Sequence, residues 1–302
     1  MTYSIVARDP KTGELGVAVQ SHYFQVGPVV PWAQSGVGAI ATQSMVNVSY
    51  GPIGLEMLRN GFSAEQTLKA LTSGDAMPEV RQAAIVDAQG RVAAHTGTRC
   101  IPAAGHRTGD GYSCQANLME RDTVWDAMAE AYEGATGSLA ERMMIALEAA
   151  EAEGGDIRGK QSAAMLVVRA TSTGKHWEDR IVDLRVEDHP EPLPELRRLF
   201  TIRRAYDADT EADHLDEAGD SAAAKAKRVE AFRIAPDNVE LRFWAGVALS
   251  QAGEVAEGAK LVAEAIAFDR RWDVLIDRLV QSERMTAPQA QALRAMLAAQ
   301  AK

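Results

Sequence analysis

The chain has 302 residues, of which 46% are hydrophobic and 25% are charged, so it can fold around one large core or two smaller ones. Its 32 Lys and Arg residues against 42 Asp and Glu residues give a net charge of −10, which argues against binding to nucleic-acid phosphates or to anionic membranes. Two cysteines, Cys100 and Cys114, cannot form a disulfide framework, and the sequence has no Cys or His spacing typical of a metal site.

The N-terminal segment lacks the apolar run of a signal peptide, because Arg8, Asp9, Lys11 and Glu14 interrupt it. We therefore expect a cytoplasmic protein. Residues 15–55 contain no Asp, Glu, Lys or Arg, yet polar residues and prolines break this stretch before about 18 apolar residues accumulate, so it is not a membrane span. Buried strands of a sheet covered on both faces are the better interpretation.

Alternating and helical patterns predict an α+β domain in the first two thirds of the chain. Ser63 with Gln66 three residues later predicts a capping box at the start of the second helix. The order of strands and helix pairs indicates helices packed outside antiparallel sheets. Strands are predicted at residues 4–7, 16–19, 36–43, 83–87, 91–95, 165–168 and 181–186, and a further apolar strand ends just before Asn117. Helices are predicted at residues 51–60, 63–73, 122–133 and 139–153.

The composition changes after residue 193, and the remainder is rich in Ala, Leu, Glu and Arg, which predicts an all-helical tail. Gly219 matches Gly253 and Ala231 matches Ala265 at a spacing of 34, the period of a tetratricopeptide helix pair. We therefore expect two domains, residues 1–205 and a tetratricopeptide-like domain at residues 206–302. Because such a stack needs about three repeats to bury its core, we expect a homo-oligomer or docking on the first domain. A groove for a protein partner is the alternative role.

The start of the chain suggests a nucleophile. Removal of Met1 would place the hydroxyl of Thr2 beside its own free α-amine. An α-amine has an ordinary pKa of about 7.7 to 8.0, so a large fraction is neutral near pH 7 and can act as a general base. One residue would then supply both the nucleophile and the base.

Five sequence runs together resemble a bacterial domain-of-unknown-function family that is grouped with the N-terminal nucleophile (Ntn) hydrolases. The runs are TYSIVARD at residues 2–9, VAVQS at 17–21, GVGAIATQ at 36–43, GY with QANL at 111–118, and GDIRGKQSAA at 155–164. The resemblance covers about residues 1–205. It implies a four-layer αββα sandwich in which the nucleophile heads a central strand, attacks an amide carbonyl and forms an acyl-enzyme.

The chain departs from the proteasome-like branch of the Ntn hydrolases. In that branch an aspartate ends the second strand, and a lysine on the next strand lowers the pKa of the nucleophile. Here Gln20 or Ser21 occupies the likely place of the aspartate, and there is no lysine between Lys11 and Lys69. Activation is therefore expected from the α-amine and from other polar groups.

The predicted catalytic residues are Thr2 as nucleophile, Asn117 as donor to the oxyanion, and Asp156 as the group that fixes the ammonium form of the Thr2 amine. Arg158 is expected to clamp a substrate carboxylate. The structural alternative for Asn117 is a backbone cap. For Asp156 with Arg158 it is an ion pair that locks the loop. The predicted substrate-binding residues are Ser21, His22, Gln43, Arg158, Gln161 and Ser162.

The first hypothesis for the function is an amidohydrolase that cleaves a small C–N amide bond through Thr2 and requires no metal or organic cofactor. The alternative is a catalytically inactive Ntn-fold scaffold that recruits a partner through its helical tail. A third possibility is a nucleophile other than Thr2, either Ser4 or a cysteine.

Overall fold

The computed structural model describes residues 2–300, which contain ten β-strands and eleven α-helices. The strands are β1 (Thr2–Arg8), β2 (Leu15–Ser21), β3 (Pro31–Gln34), β4 (Gly38–Ser44), β5 (Arg81–Asp87), β6 (Val92–Thr96), β7 (Gly105–Gly109), β8 (Tyr112–Asn117), β9 (Ser162–Val168) and β10 (Arg180–Val186). They form a mixed α/β region together with the first helices of the chain.

The helices are α1 (Tyr50–Arg59), α2 (Ala64–Ser73), α3 (Val124–Gly134), α4 (Leu139–Ala152), α5 (His176–Asp179), α6 (Pro192–Glu217), α7 (Ser221–Ile234), α8 (Val239–Gln251), α9 (Val255–Phe268), α10 (Arg271–Gln281) and α11 (Ala287–Gln300). Among residues 2–300, none of them combines the length and the apolar character that a membrane span requires. The predicted capping box is present, since the Ser63 hydroxyl accepts from the Gln66 N–H while the Gln66 side chain accepts from the Ser63 N–H.

The strands form two antiparallel sheets. The six-stranded sheet has the order β10-β9-β2-β1-β8-β7, and the four-stranded sheet has the order β3-β4-β5-β6. Strand β1 therefore lies in the interior of its sheet, and its first residue, Thr2, pairs with Ser21 on β2 and with Asn117 on β8. The register thus places the ends of three strands side by side.

The inward faces of the two sheets share one apolar core. Val6, Val17 and Leu166 of the six-stranded sheet pack in the same cluster as Ala41 and Val86 of the four-stranded sheet. These side chains alternate with outward-facing ones along each strand, as the pleat requires. Burial of this cluster holds the two sheets face to face.

Helices cover the outer face of the four-stranded sheet. Leu58 of α1 and Leu68 of α2 pack with Ile40 and Ile85, whose side chains point away from the other sheet.

Helices α3 and α4 cover the outer face of the six-stranded sheet. The ring of Tyr132 lies 4.8 Å from that of Tyr112 between centroids, and the Tyr3 hydroxyl donates to a Glu151 carboxylate oxygen at 2.6 Å. Burial and the neighbouring Glu151 charge raise the pKa of Tyr3 well above its ordinary value, so Tyr3 remains a neutral donor.

The chain divides into two compact units at Arg198 and Leu199. The boundary predicted at residues 205 and 206 lies slightly further along, inside helix α6. The second unit is all-helical, as expected. Its helices α7 and α9 are both 14 residues long and start at Ser221 and Val255, and each follows a glycine in the left-handed region, at φ 83° and φ 91°.

Some predicted elements differ from the structure. Strands β3 and β7 were not predicted, because each is only four or five residues long and β7 lacks an apolar alternation. The strand predicted from residue 36 starts at Gly38, since Gly36 takes a positive φ of 71° in the preceding turn. Strand β9 starts at Ser162, three residues earlier than predicted, because its first three residues, which are small, pair with the end of β2.

Candidate active site

The space between the two sheets becomes polar at one end. Along β1 the inward-facing residues are Val6, Ser4 and Thr2, and along β5 they are Val86, Ala84 and Gln82. Strands β4 and β8 add Gln43, Gln115 and Asn117 at the same end, and all of these polar side chains are buried. Burying polar groups is costly unless they are hydrogen-bonded, so this polar end is a specific feature of the fold.

Thr2 lies at the centre of the polar end and is 4% exposed. Its hydroxyl lies 2.9 Å from the Ser21 hydroxyl, within hydrogen-bond distance. Its carbonyl oxygen accepts from the side-chain amide of Gln43 at 3.0 Å and from that of Asn117 at 3.4 Å. Contacts from three different strands therefore fix both the side chain and the backbone of Thr2.

Gln82 connects these amides. Its Oε1 accepts from Gln43 Nε2 and from Asn117 Nδ2, both at 2.8 Å. Its Nε2 donates to Thr96 Oγ1 at 2.9 Å and to the carbonyls of Gly105 and Ala116. The buried Gln82 amide thus fixes the orientation of the two amides that hold Thr2.

The other candidate nucleophiles have different surroundings. The fully buried Ser4 hydroxyl donates to Gln43 Oε1 at 2.7 Å. Cys114 is buried against the helices, and desolvation raises the pKa of its thiol, whereas the Cys100 thiol donates to the Arg81 carbonyl. Thiolate is the reactive form of cysteine, so the environment of Cys114 disfavours reactivity.

A small cavity of about 40 Å³ lies beside Thr2. Thr2, Gln43 and Ser44 form its polar part. Its remaining walls are apolar or aromatic, and they come from the segment after β2 and from the segment after β4: Tyr23, Val26, Val29, Val30 and Val46.

Strained backbone is concentrated around this end of the sheets. Five non-glycine residues in the part of the chain that the structure describes have a positive φ, which is unfavourable for L-residues. Ser44 directly follows Gln43, Leu118 directly follows Asn117, and Gln25 lies in the segment that lines the cavity. Such strain is typical of functional sites, and three of these five positions adjoin the polar end or the cavity.

Asp156 and Arg158 form an ion pair in the loop before β9. The Arg158 guanidinium donates to both oxygens of the buried Asp156 carboxylate, at 2.8 and 3.1 Å. The same carboxylate accepts from the backbone N–H of His22 at 3.2 Å and from that of Arg158 at 3.0 Å. These contacts hold the loop against the end of β2.

The remaining predicted residues have mixed surroundings. The buried Ser162 hydroxyl donates to the Tyr23 carbonyl at 2.5 Å and accepts from the Val26 N–H at 3.1 Å, so it anchors the segment that lines the cavity. Gln161 donates to Asp188 at 3.2 Å. His22 Nδ1 is buried and has no hydrogen-bond partner among the described residues.

Comparisons with known proteins identify the family of the chain. The model of a family described as "Family of unknown function (DUF1028)" matches residues 2–196. The chain belongs to the DUF1028 family. A crystal structure of protein SPO2555 from Silicibacter pomeroyi, described as a DUF1028 protein, is 32% identical in sequence, with a TM-score of 0.60 over 66% of this chain and 84% of that one. The comparison with curated proteins gives no match.

Sequence reasoning missed Gln82, although it is the residue through which this DUF1028 chain connects both amides at Thr2. Period-two alternation offered a signal, since Gln82 shares its face with Ala84 and Val86. The prediction began that strand at Ala83 and left Gln82 outside it. Within residues 2–300, no three His, Cys, Asp or Glu side chains come together as potential metal ligands.

Proposed function

We propose that the chain is an Ntn-type amidohydrolase with Thr2 as its nucleophile. After removal of Met1, the neutral α-amine of Thr2 takes the proton of the hydroxyl while Oγ1 attacks the amide carbonyl carbon of the substrate. The C–N bond breaks, the amine product leaves with that proton, and an ester remains on Thr2. Water then hydrolyses the ester, releasing the carboxylic acid and restoring the hydroxyl.

The observation that carries this proposal is the position of Thr2. It is the first residue of an interior strand, its hydroxyl contacts Ser21, its carbonyl is held by two amides, and it lines a cavity. The packing of helices on the outer faces of two facing sheets agrees with the αββα arrangement of Ntn hydrolases. Fold analogy alone does not establish catalysis, so the local geometry carries the proposal.

We assign positioning roles to Gln43 and Asn117, which hold the Thr2 carbonyl. Both hydrogens of the Asn117 amide are donated, to Thr2 and to Gln82. To serve as the oxyanion donor, Asn117 would have to release one of these bonds. The Ser21 hydroxyl lies within hydrogen-bond distance of the nucleophile oxygen, and we assign Ser21 the role of orienting that oxygen.

The first test is intact-protein mass spectrometry on untagged protein from its own host, followed by a screen of small uncharged and amino-acid amides. The proposal expects the loss of one methionine and a burst of covalent acyl-enzyme. Thr2→Ala should abolish both amide hydrolysis and the formation of the acyl-enzyme, and Thr2→Ser should retain part of both. Ser113→Ala is a matched control, because this buried hydroxyl has no partner among the described residues and pairs with Val6, away from Thr2.

Retained Met1, or full activity in Thr2→Ala, would contradict the proposal. Retained Met1 favours the second candidate, an inactive scaffold, for which the internal use of the Asn117 donors and of the Asp156 oxygens is the supporting observation. In that case we propose that the second unit recruits a protein partner.

We also propose that this second unit is tetratricopeptide-like. The identical lengths of α7 and α9 and the positive φ at Gly219 and Gly253 agree with the spacing of 34 in the sequence. Ala231 and Ala265, at equivalent positions of the two helices, are both fully buried.

A cytoplasmic homo-oligomer remains our proposal for the whole chain, and light scattering on the full-length protein tests the assembly.

A further inference from the structure

The cavity beside Thr2 is small and has an apolar wall. Its volume is about 40 Å³, whereas one water molecule occupies about 30 Å³ of the liquid. Four valines contribute to the wall: Val26 and Val30 are almost fully buried, and Val29 and Val46 are half-buried. Because apolar cavities hold water poorly and bind small apolar groups, this wall favours a short hydrocarbon chain.

The polar groups of the cavity offer little to a charged ligand. Among the described residues, no Asp, Glu, Lys, Arg or His side chain lines it. Gln43 donates both hydrogens of its amide within the protein, to the Thr2 carbonyl and to Gln82 Oε1. A carboxylate or an ammonium group in the cavity would therefore lack a counter-charge, and burial of an unpaired charge is unfavourable.

Two arginines lie at this end of the sheets, and each of them already binds a carboxylate. Arg158 donates to both oxygens of Asp156, at 2.8 and 3.1 Å. Arg81 Nε donates to Asp75 at 2.9 Å, and the same guanidinium donates to the Met45 carbonyl. Neither arginine therefore brings an uncompensated positive charge to the cavity.

Exposed apolar side chains lie beside the cavity. Tyr23, which lines it, and Phe24, which follows Tyr23, are both more than half exposed. Met45 is also more than half exposed, and it lies between the lining residues Ser44 and Val46. Exposed apolar surface of this kind suits the apolar part of a ligand.

The order of the proposed reaction indicates which part of the substrate each place would take. When the C–N bond breaks, the acyl group stays bonded to Thr2 Oγ1, whereas the amine product leaves before water attacks the ester. The small, largely buried cavity suits the group that stays. The exposed side chains suit the group that leaves.

We propose that the substrate is an uncharged N-acyl amine with a short apolar acyl group, the size of acetyl or propionyl. The acyl group occupies the valine-lined cavity, and the amine part lies against Tyr23, Phe24 and Met45. Hydrolysis converts this amide and one water molecule into a short carboxylic acid and a free amine. The assignment of the two parts rests on the amidohydrolase proposed above, whereas the preference of the cavity for an uncharged group does not.

The test is NMR titration of the full-length Thr2→Ala variant, which cannot form the ester. The ligands are propionanilide and oxanilic acid, in which a carboxylate replaces the ethyl group of propionanilide. We expect propionanilide to shift the ring signals of Tyr23 and to bind at least tenfold more tightly than oxanilate, a difference of about 1.4 kcal/mol. Equal or tighter binding of oxanilate, or no binding of propionanilide, would overturn the inference.

A pair of substitutions in the same variant tests the place of binding. Val46→Phe fills the cavity and should weaken propionanilide binding about tenfold. Val48→Phe is the matched control, because Val48 belongs to the same segment but is exposed and does not line the cavity. Unchanged propionanilide affinity in a folded Val46→Phe protein contradicts the inference. If that protein does not fold, the comparison of propionanilide with oxanilate decides.

Release of aniline by the protein with Thr2 intact tests the hydrolase proposal separately. If no aniline is released but propionanilide binds selectively, hydrolysis at Thr2 is contradicted and the selectivity of the cavity is supported. If aniline is released equally fast from propionanilide and from oxanilate, hydrolysis is supported and the inferred substrate class is wrong.

Discussion

The middle of the space between the sheets and its end near Thr2 differ in chemistry although the same strands form both. In the middle, Val6, Val17 and Val86 pack without directional contacts. At the end near Thr2, the same faces present Gln43 and Gln82, and the amides are linked one to another. An apolar core tolerates apolar substitutions that conserve volume, whereas a buried polar network needs each partner in place. The polar end is therefore the more specific region and the better place for chemistry.

Removing the central amide should have the largest effect. Gln82→Leu keeps a similar volume but leaves the donors of Gln43 and Asn117 without their shared acceptor. Each buried group that loses its partner costs about 1–3 kcal/mol, so we expect the free energy of unfolding to fall by about 3 kcal/mol in urea titrations.

Gln89→Leu is the matched control, because Gln89 is exposed in the turn that follows the same strand. Its free energy of unfolding should change by no more than about 0.5 kcal/mol. If Gln82→Leu behaved like this control, the polar network would contribute nothing to stability, and the contrast between the two regions would fail.

The reverse change tests the apolar region. Val86→Thr replaces a methyl by a hydroxyl at nearly constant volume in a fully buried position. The new hydroxyl has no side-chain partner in the apolar cluster. We therefore expect the free energy of unfolding to fall by about 2 kcal/mol, as measured by thermal or urea unfolding. A neutral result would show that this region accommodates polar groups as readily as the end near Thr2, and would remove the distinction.

A smaller effect is expected from the ion pair of Asp75 and Arg81, which lies beside the site. Arg81 Nε donates to Asp75 at 2.9 Å, and Asn47 and Tyr50 donate to the same carboxylate. The Arg81 hydrogen bond, together with those from Asn47, Met77 and Tyr50, lowers the pKa of Asp75 well below its ordinary value of 3.8. The ionised form is therefore the one that stabilises the fold.

Because the folded pKa is lowered, this stabilisation is complete above about pH 4 and is lost as the pH falls through the folded pKa. Asp75→Asn should lower the free energy of unfolding by about 1.5 kcal/mol at pH 7. The difference from the unaltered protein should shrink below about pH 4. A difference that stays constant with pH would contradict the assigned cause.

Local patterns predicted most of the helices and strands, because the formation of these elements depends mainly on residues close together in the sequence. The capping box at Ser63 and the all-helical tail needed only short-range signals, and both are confirmed. Strand β7 was missed because its residues are half-buried or exposed and carry no alternation of apolar side chains. It is held as a strand by pairing with β8, which no local pattern encodes.

Patterns along the chain were enough to predict a first strand at residues 4–7 in an antiparallel sheet, and the family resemblance implied that the nucleophile heads a central strand. Which amides meet at Thr2 follows from the fold alone, since Gln43, Gln82 and Asn117 come from three strands in two sheets. Sheet register brings Asn117 to Thr2 across 115 positions of the chain, and the packing of one sheet on the other brings Gln43 to Thr2. Neither depends on local sequence alone, because both are set by burial of the whole apolar core.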